Sequence, residues 1–160
     1  MAEMQNKTVL TEEGLKKLEA QLDYLVSVRR NEVSEQIAIA RGFGDLSENA
    51  EYDEAKKEQA KVEEEIVRLT TTIRTAVVVA ESEISTDKVS VGTTVRVKDL
   101  DTGDVDEYAI VGAEESDPYE NKISNESPVG AGLLGAKKGE VVTIEIPVGA
   151  LRYEVLEIKR

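Results

Sequence analysis

The chain reads as an α+β protein. A long antiparallel α-helical coiled-coil hairpin occupies residues 1–79, and a small β-sheet domain with one short helix occupies 80–160. Two observations predict the hairpin: apolar residues recur at spacings of three and four through the first half, and a short glycine-flanked segment divides that pattern in two. A third predicts the sheet domain, since the second half carries short apolar or alternating runs punctuated by glycine.

The first helix starts at Thr11, a candidate N-cap followed by Glu12 and Glu13, whose charges suit the positive end of a helix. Its stripe runs Leu15, Leu18, Leu22, Leu25 and resumes at Val33, Ile37 and Ala40. The step from Leu25 to Val33 is eight residues rather than seven, a slip that a straight helix tolerates better than a strict supercoil. Arg29 and Arg30 fall inside it. The second stripe is more regular: Tyr52, Ala55, Gln59, Val62, Ile66, Leu69, Ile73 and Ala76, with no Pro or Gly between them. Two helices of about thirty residues would each reach roughly 45 Å at 1.5 Å rise per residue, more than a compact domain of this mass needs. A dimeric coiled coil with no special tip would also bury these stripes. The turn Gly42-Phe43-Gly44-Asp45 favours a hairpin and hence a monomer.

Beyond Ala76, Val77-Val78-Val79 and the polar stretch Glu81 to Ser90 mark a linker region, with the boundary near residue 80. Strands are predicted at Thr94–Val97, Tyr108–Val111, Val141–Ile146 and Arg152–Ile158. Ser127 and Pro128 read as the N-cap and N1 pair of a short helix that runs through Leu133 and Leu134 to Gly135. Gly130, Gly132 and Gly135 match no phosphate-binding fingerprint and read as packing and capping glycines.

Composition restricts the function. At a formal net charge of -13 the chain is unsuited to holding nucleic acid unaided, because that affinity needs Lys and Arg to displace counterions from phosphates. Any nucleic acid has to be held by a partner. With no cysteine and no histidine there is no disulfide framework, no thiolate metal site and no imidazole acid-base catalyst, so any chemistry falls to carboxylates. The N-terminus lacks a basic start followed by an apolar run, and no eighteen apolar residues run together. The expected location is the cytoplasm, with no membrane partner.

The hairpin turn supplies the carboxylates. Asp45 and Glu48 stand three residues apart, and the spacing has two explanations. One is a capping box, with Asp45 accepting an N-terminal amide and Glu48 reaching back to the Asp45 backbone. The other is half of a divalent-cation site. Two carboxylates are too few to enclose magnesium, so phosphates or a partner's carboxylates would have to complete the shell. Spacing alone leaves both open.

The string Gly44-Asp45-Leu46-Ser47-Glu48-Asn49-Ala50-Glu51-Tyr52, set between two long helices and followed by a small β-rich domain, resembles the bacterial transcription elongation factors of the Gre type. The likeness extends to Ser27-Val28-Arg29-Arg30, to Asn125-Glu126-Ser127-Pro128-Val129-Gly130 and to Leu133-Leu134-Gly135. It implies that the hairpin enters the secondary channel of bacterial RNA polymerase and promotes cleavage of the 3′ end of backtracked nascent RNA. In that role Asp45 and Glu48 are the catalytic pair. They help to bind a magnesium ion shared with the polymerase and to orient the attacking water, while the isolated chain binds no Mg2+ tightly. The chain would then be a cofactor of the polymerase's own cleavage activity rather than an enzyme.

Further roles follow from the same resemblance. Arg41 sits where the family usually carries a basic residue, and with Lys56, Lys57 and Lys61 it would contact RNA. Glu54 and Glu58 could instead pair with those lysines on a solvated face. Phe43, the only phenylalanine, would touch RNA or polymerase, or else fold back on Leu46 or Tyr52. The second domain would be FKBP-like (resembling FK506-binding prolyl isomerases), but an isomerase pocket needs aromatics and only Tyr108, Tyr119 and Tyr153 are on offer. Docking to polymerase through Ser124 to Pro128, with Ser127 and Pro128 central, fits better, although a capped helix explains those two residues without a partner. Two other functions compete: a non-catalytic inhibitor occupying the same channel, which the intact Asp45-to-Asn49 string disfavours, and a coiled-coil adaptor whose tip carboxylates only cap a helix.

Overall fold

The computed structural model describes residues 8–42 and 49–160, which divide into two units. Lys16–Thr75 form the helical unit. The described residues up to Leu15, together with Ala76–Arg160, form the sheet unit. The sheet unit is thus drawn from two parts of the chain, because the segment before the first helix pairs with the segment after the second.

In the helical unit, α1 (Glu12–Tyr24) passes through a π-helical turn (Leu25–Arg29) directly into α2 (Arg30–Arg41). The return arm is a single helix, α3 (Ala50–Thr75), of 26 residues. The seam is built from Val33, Ile37, Ala55, Val62 and Ile66, with Leu22, Leu25 and Tyr52 packed at its margins. The π turn accounts for the eight-residue step in the first stripe. A π turn holds one residue more than an α turn, so the surplus is absorbed there and the residues on either side keep facing the other arm. Arg29 and Arg30, left outside the stripe, cross to the other arm instead. Arg29 donates to Glu58 at 3.0 Å, and Arg30 to Glu63 at 2.9 and 3.0 Å.

In the sheet unit, β1 (Val9–Thr11) pairs in parallel with β2 (Val77–Val79), in the register Val9 to Val77 through Thr11 to Val79. Val77–Val79 is thus a strand and not linker. Three residues are too few to show alternation, and a parallel partner from the other end of the helical unit cannot be read from local pattern. The main sheet has five strands: β3 (Thr94–Asp99), β4 (Val105–Val111), β5 (Lys122–Ser124), β6 (Val141–Ile146) and β7 (Gly149–Lys159). Their spatial order is β5-β4-β3-β7-β6, antiparallel throughout except for the parallel β4–β5 pair. Its buried face carries Val95, Val97, Ile110, Ile144 and Val155, closed over by Leu133 of the short helix α4 (Pro128–Leu133).

α4 begins as its sequence dictates. Pro128 occupies the first turn, and the Ser127 hydroxyl accepts from the Gly130 amide at 3.1 Å. Gly130 is a packing glycine, since a Cβ there would run into the Ser124 carbonyl oxygen. Gly135 follows the helix at φ +82°, a conformation open to glycine and costly for other residues.

Candidate functional site

Asp45, Glu48 and Phe43 lie outside the described residues; the ends of the two helices that flank them do not. α2 ends at Arg41, where the amide of Gly42 donates to the carbonyls of Ala38 at 3.3 Å and Ile39 at 3.0 Å. α3 opens at Ala50, and its N-cap is Asn49, whose Oδ1 accepts from the Tyr52 amide at 3.1 Å. The capping seat of this helix belongs to Asn49. The same side chain reaches the other arm, where Nδ2 donates to the carbonyl oxygen of Ala40 at 2.5 Å. One amide group thus serves a donor in the first turn of one helix and an acceptor in the last turn of the other. Sequence reasoning passed over Asn49, although Asn is among the preferred N-cap residues and the helix opens just after it.

Arg41 is exposed at the end of α2, with its guanidinium carbon 5.9 Å from the centre of the Tyr52 ring. A cation at that distance over an aromatic face is attracted by the ring quadrupole. Tyr52 is half-buried and packs on the seam, as its place in the stripe predicts. Lys56, Lys57 and Lys61 are exposed on α3, and Lys56 donates to Gln59 at 3.2 Å. Glu58 is engaged with Arg29 across the hairpin rather than with a lysine of its own helix. Beside these residues runs a groove of about 470 Å³, lined by Arg29, Gln36, Ile39, Ala40, Glu51, Glu54, Ala55 and Glu58. Three carboxylates on its wall make it unsuited to a phosphate backbone.

In the sheet unit, both capacities of the Ser127 hydroxyl are used. It donates to the Ser124 carbonyl at 2.6 Å and accepts from Gly130, while Pro128 is exposed. The three tyrosines do not gather into one pocket: Tyr119 is 99% exposed, whereas Tyr153 is buried and Tyr108 half-buried. Burial pushes the Tyr108 hydroxyl up to about 12, reinforced by Tyr153 and Asp106, and burial also raises Tyr153. Both groups are held neutral, as suits packing and hydrogen bonding.

Among the described residues no group of three or more Asp and Glu side chains is placed to hold a metal ion, and no helix is long and apolar enough to cross a membrane. The described architecture is that of a two-unit protein with a helical hairpin whose two arms are tied together by Asn49, and a separate sheet unit.

Comparison with known proteins supplies the family. A family profile described as transcription elongation factor, N-terminal, matches residues 8–78, and one described as transcription elongation factor, GreA/GreB, C-term, matches residues 84–160. The chain belongs to the GreA/GreB family of transcription elongation factors. It is 56% identical over 154 residues to the transcription elongation factor GreA of Alkaliphilus oremlandii, covering 96% of this chain and 97% of the relative. It is 56% identical over 156 residues to that of Clostridium perfringens, covering 98% and 99%. The crystal structure of GreA factor homolog 1 of Thermus thermophilus aligns at 25% identity and a TM-score of 0.45, covering 97% of this chain and 100% of that one.

Proposed function

We propose that the chain is a transcription elongation factor that inserts its hairpin into the secondary channel of bacterial RNA polymerase and stimulates cleavage of the 3′ end of backtracked nascent RNA, freeing arrested complexes. The observation that carries this reading is the string Gly44 to Tyr52, which ends in the first turn of α3, in a chain that matches GreA factors along nearly its whole length. The chain acts as a monomer in the cytoplasm and is a cofactor of the polymerase, not an enzyme in its own right.

The physical argument starts from what the chain lacks. Without histidine or cysteine, its contribution to phosphodiester cleavage falls to carboxylates, and Asp45 and Glu48 are the pair at the tip. Two carboxylates fit a magnesium ion only as a shared ligand set, with the polymerase and RNA phosphates filling the remaining positions. Magnesium bound in that way supplies charge neutralisation at the scissile phosphate and a more acidic water. With Asn49 capping α3, Asp45 is not required for that task. Arg41, exposed at the neck, is the cation best placed along the chain to meet RNA, with Phe43 two residues on in sequence. Ser127 and Pro128, on the sheet unit, dock to polymerase through the exposed proline face while the serine holds the local turn.

The test uses halted, backtracked elongation complexes with magnesium. The full chain is expected to accelerate shortening of the RNA 3′ end, and Asp45→Ala or Glu48→Ala to abolish the acceleration while polymerase binding persists. Inhibition of RNA synthesis without shortening would replace this reading with that of a channel-occupying inhibitor.

A further inference from the structure

We infer that Asn49 is a positioning residue that closes the neck of the hairpin tip, fixing the separation and direction of the two helix ends between which Asp45 and Glu48 are carried. The inference rests on the cleavage reading above.

Three contacts converge at Asn49. Its Oδ1 accepts from the Tyr52 amide at 3.1 Å, its Nδ2 donates to the Ala40 carbonyl at 2.5 Å, and its own carbonyl accepts from the Asp53 amide at 3.2 Å. The first and third fix Asn49 to α3, and the second ties it to α2. Only one orientation of the amide satisfies both side-chain contacts, because the carbonyl of Ala40 demands a donor and the amide of Tyr52 demands an acceptor. The anchor points are themselves firm: Ala40 is buried at 3% exposure and Ala55, one turn into α3, at 8%. Arg41, over the ring of Tyr52 at 5.9 Å, adds a second contact between the same two helix ends.

The chemistry explains why Asn suits this position better than the other good capping residues. Aspartate would keep the acceptor for Tyr52 but offer nothing to Ala40, and would set a negative charge against its carbonyl oxygen. Serine and threonine cap helices but cannot span to the other arm while doing so. An N-cap alone would therefore accept any of the four; a clamp needs the amide.

Asn49→Asp separates the two functions, because the cap survives and the clamp does not. In the cleavage assay its turnover at saturating factor is expected to fall roughly ten- to a hundredfold, the scale set by a small misplacement of reacting groups. The factor concentration giving half-maximal effect is expected to stay unchanged, and so is the melting temperature of the free protein. A second measurement does not depend on cleavage. Since the chain has no cysteine, Ile39→Cys and Glu51→Cys accept a spin-label pair on opposite arms beside the neck. The distance distribution is expected to be narrow with Asn49 and broad with Asn49→Asp. An unchanged distribution overturns the clamp, whatever the cleavage result. A broadened distribution with wild-type turnover overturns its positioning role, and turnover lost in step with polymerase affinity or melting temperature does the same. If the unsubstituted chain fails to accelerate cleavage, the function proposed above falls, and the distance measurement still decides whether the clamp exists.

Discussion

Arg30 and Glu63 meet fork to fork across the two arms of the hairpin, Nε to Oε1 at 2.9 Å and Nη2 to Oε2 at 3.0 Å. The bidentate geometry fixes the axial register of one arm against the other, a task the apolar seam performs less specifically because neighbouring stripe positions are chemically alike. Both side chains are nearly half exposed, so the pair contributes to register more than to stability. Either Arg30→Glu or Glu63→Arg alone is expected to lower the melting temperature slightly by setting like charges together. The double exchange is expected to restore it, and the coupling to fade in high salt. Thermal denaturation of the four proteins at two ionic strengths checks this.

The π turn makes a sharper prediction. Because Leu25–Arg29 absorbs one surplus residue, deleting Val26, which is 40% exposed, reduces the step between Leu25 and Val33 to seven and turns the π turn into ordinary α-helix. Both stripes stay on the seam, so the loss is expected to be no more than about 1–2 kcal/mol, the range of a typical single mutation. Deleting Lys57 from α3 is the control. It rotates every later residue by about 100° relative to the earlier part of the helix, taking Val62 and Ile66 off the seam. The control is expected to lose several kcal/mol, on the scale of multiple core truncations. Urea denaturation of the two deletion variants distinguishes them.

The helices, four of the five main strands and α4 were legible because each repeats a pattern long enough to register or carries a capping signal such as Ser127-Pro128. The three-residue strands β1, β2 and β5 were not. Each is too short to alternate, and β1 and β2 find each other only after the whole helical unit has intervened. At the tip, the motif singled out Asp45 and Glu48 by resemblance, while spacing alone left a cap and half of a metal site both open. The cap at Asn49 depends on where α3 begins, and helix boundaries are the part of a helix least well marked by apolar period. The tie from Asn49 to Ala40 depends on how the arms face each other, which no local pattern contains.

Thr11 shows what a predicted cap can acquire from tertiary structure. Its hydroxyl accepts from the Gly14 amide at 3.0 Å, as the sequence suggests, and also donates to the carboxylate of Glu115, which further accepts from the Thr11 amide at 3.1 Å and the Gly112 amide at 3.2 Å. Thr11→Ala is expected to cost about 1–2 kcal/mol, the cap plus its bond to Glu115. Thr11→Ser, which keeps the hydroxyl, is expected to recover most of that loss. Glu115→Ala is expected to cost as much or more, since it leaves the Thr11 and Gly112 amides to find other partners. Chemical denaturation of the three variants measures the order.

The neutral tyrosine pair sets the behaviour of the sheet unit at alkaline pH. Tyr108 is raised to about 12 from an ordinary value near 10, chiefly by burial, and Tyr153 is raised in the same direction for the same reason. A folded-state value above the unfolded one means that the unfolded chain gives up its proton first. The stabilisation is thus fully present below about pH 10 and is lost progressively as the pH rises from about 10 towards 12. Tyr108→Phe removes the ionisable hydroxyl that burial holds neutral, and is expected to flatten the alkaline fall in stability. Spectrophotometric titration of the phenolates supplies the direct check. In the folded wild type part of the tyrosine absorbance change is expected to be delayed to about pH 12, and in Tyr108→Phe the delayed part is expected to shrink. If all the tyrosines of the folded protein ionise together near pH 10, burial is not holding Tyr108 and Tyr153 neutral, and the alkaline loss of stability has another origin.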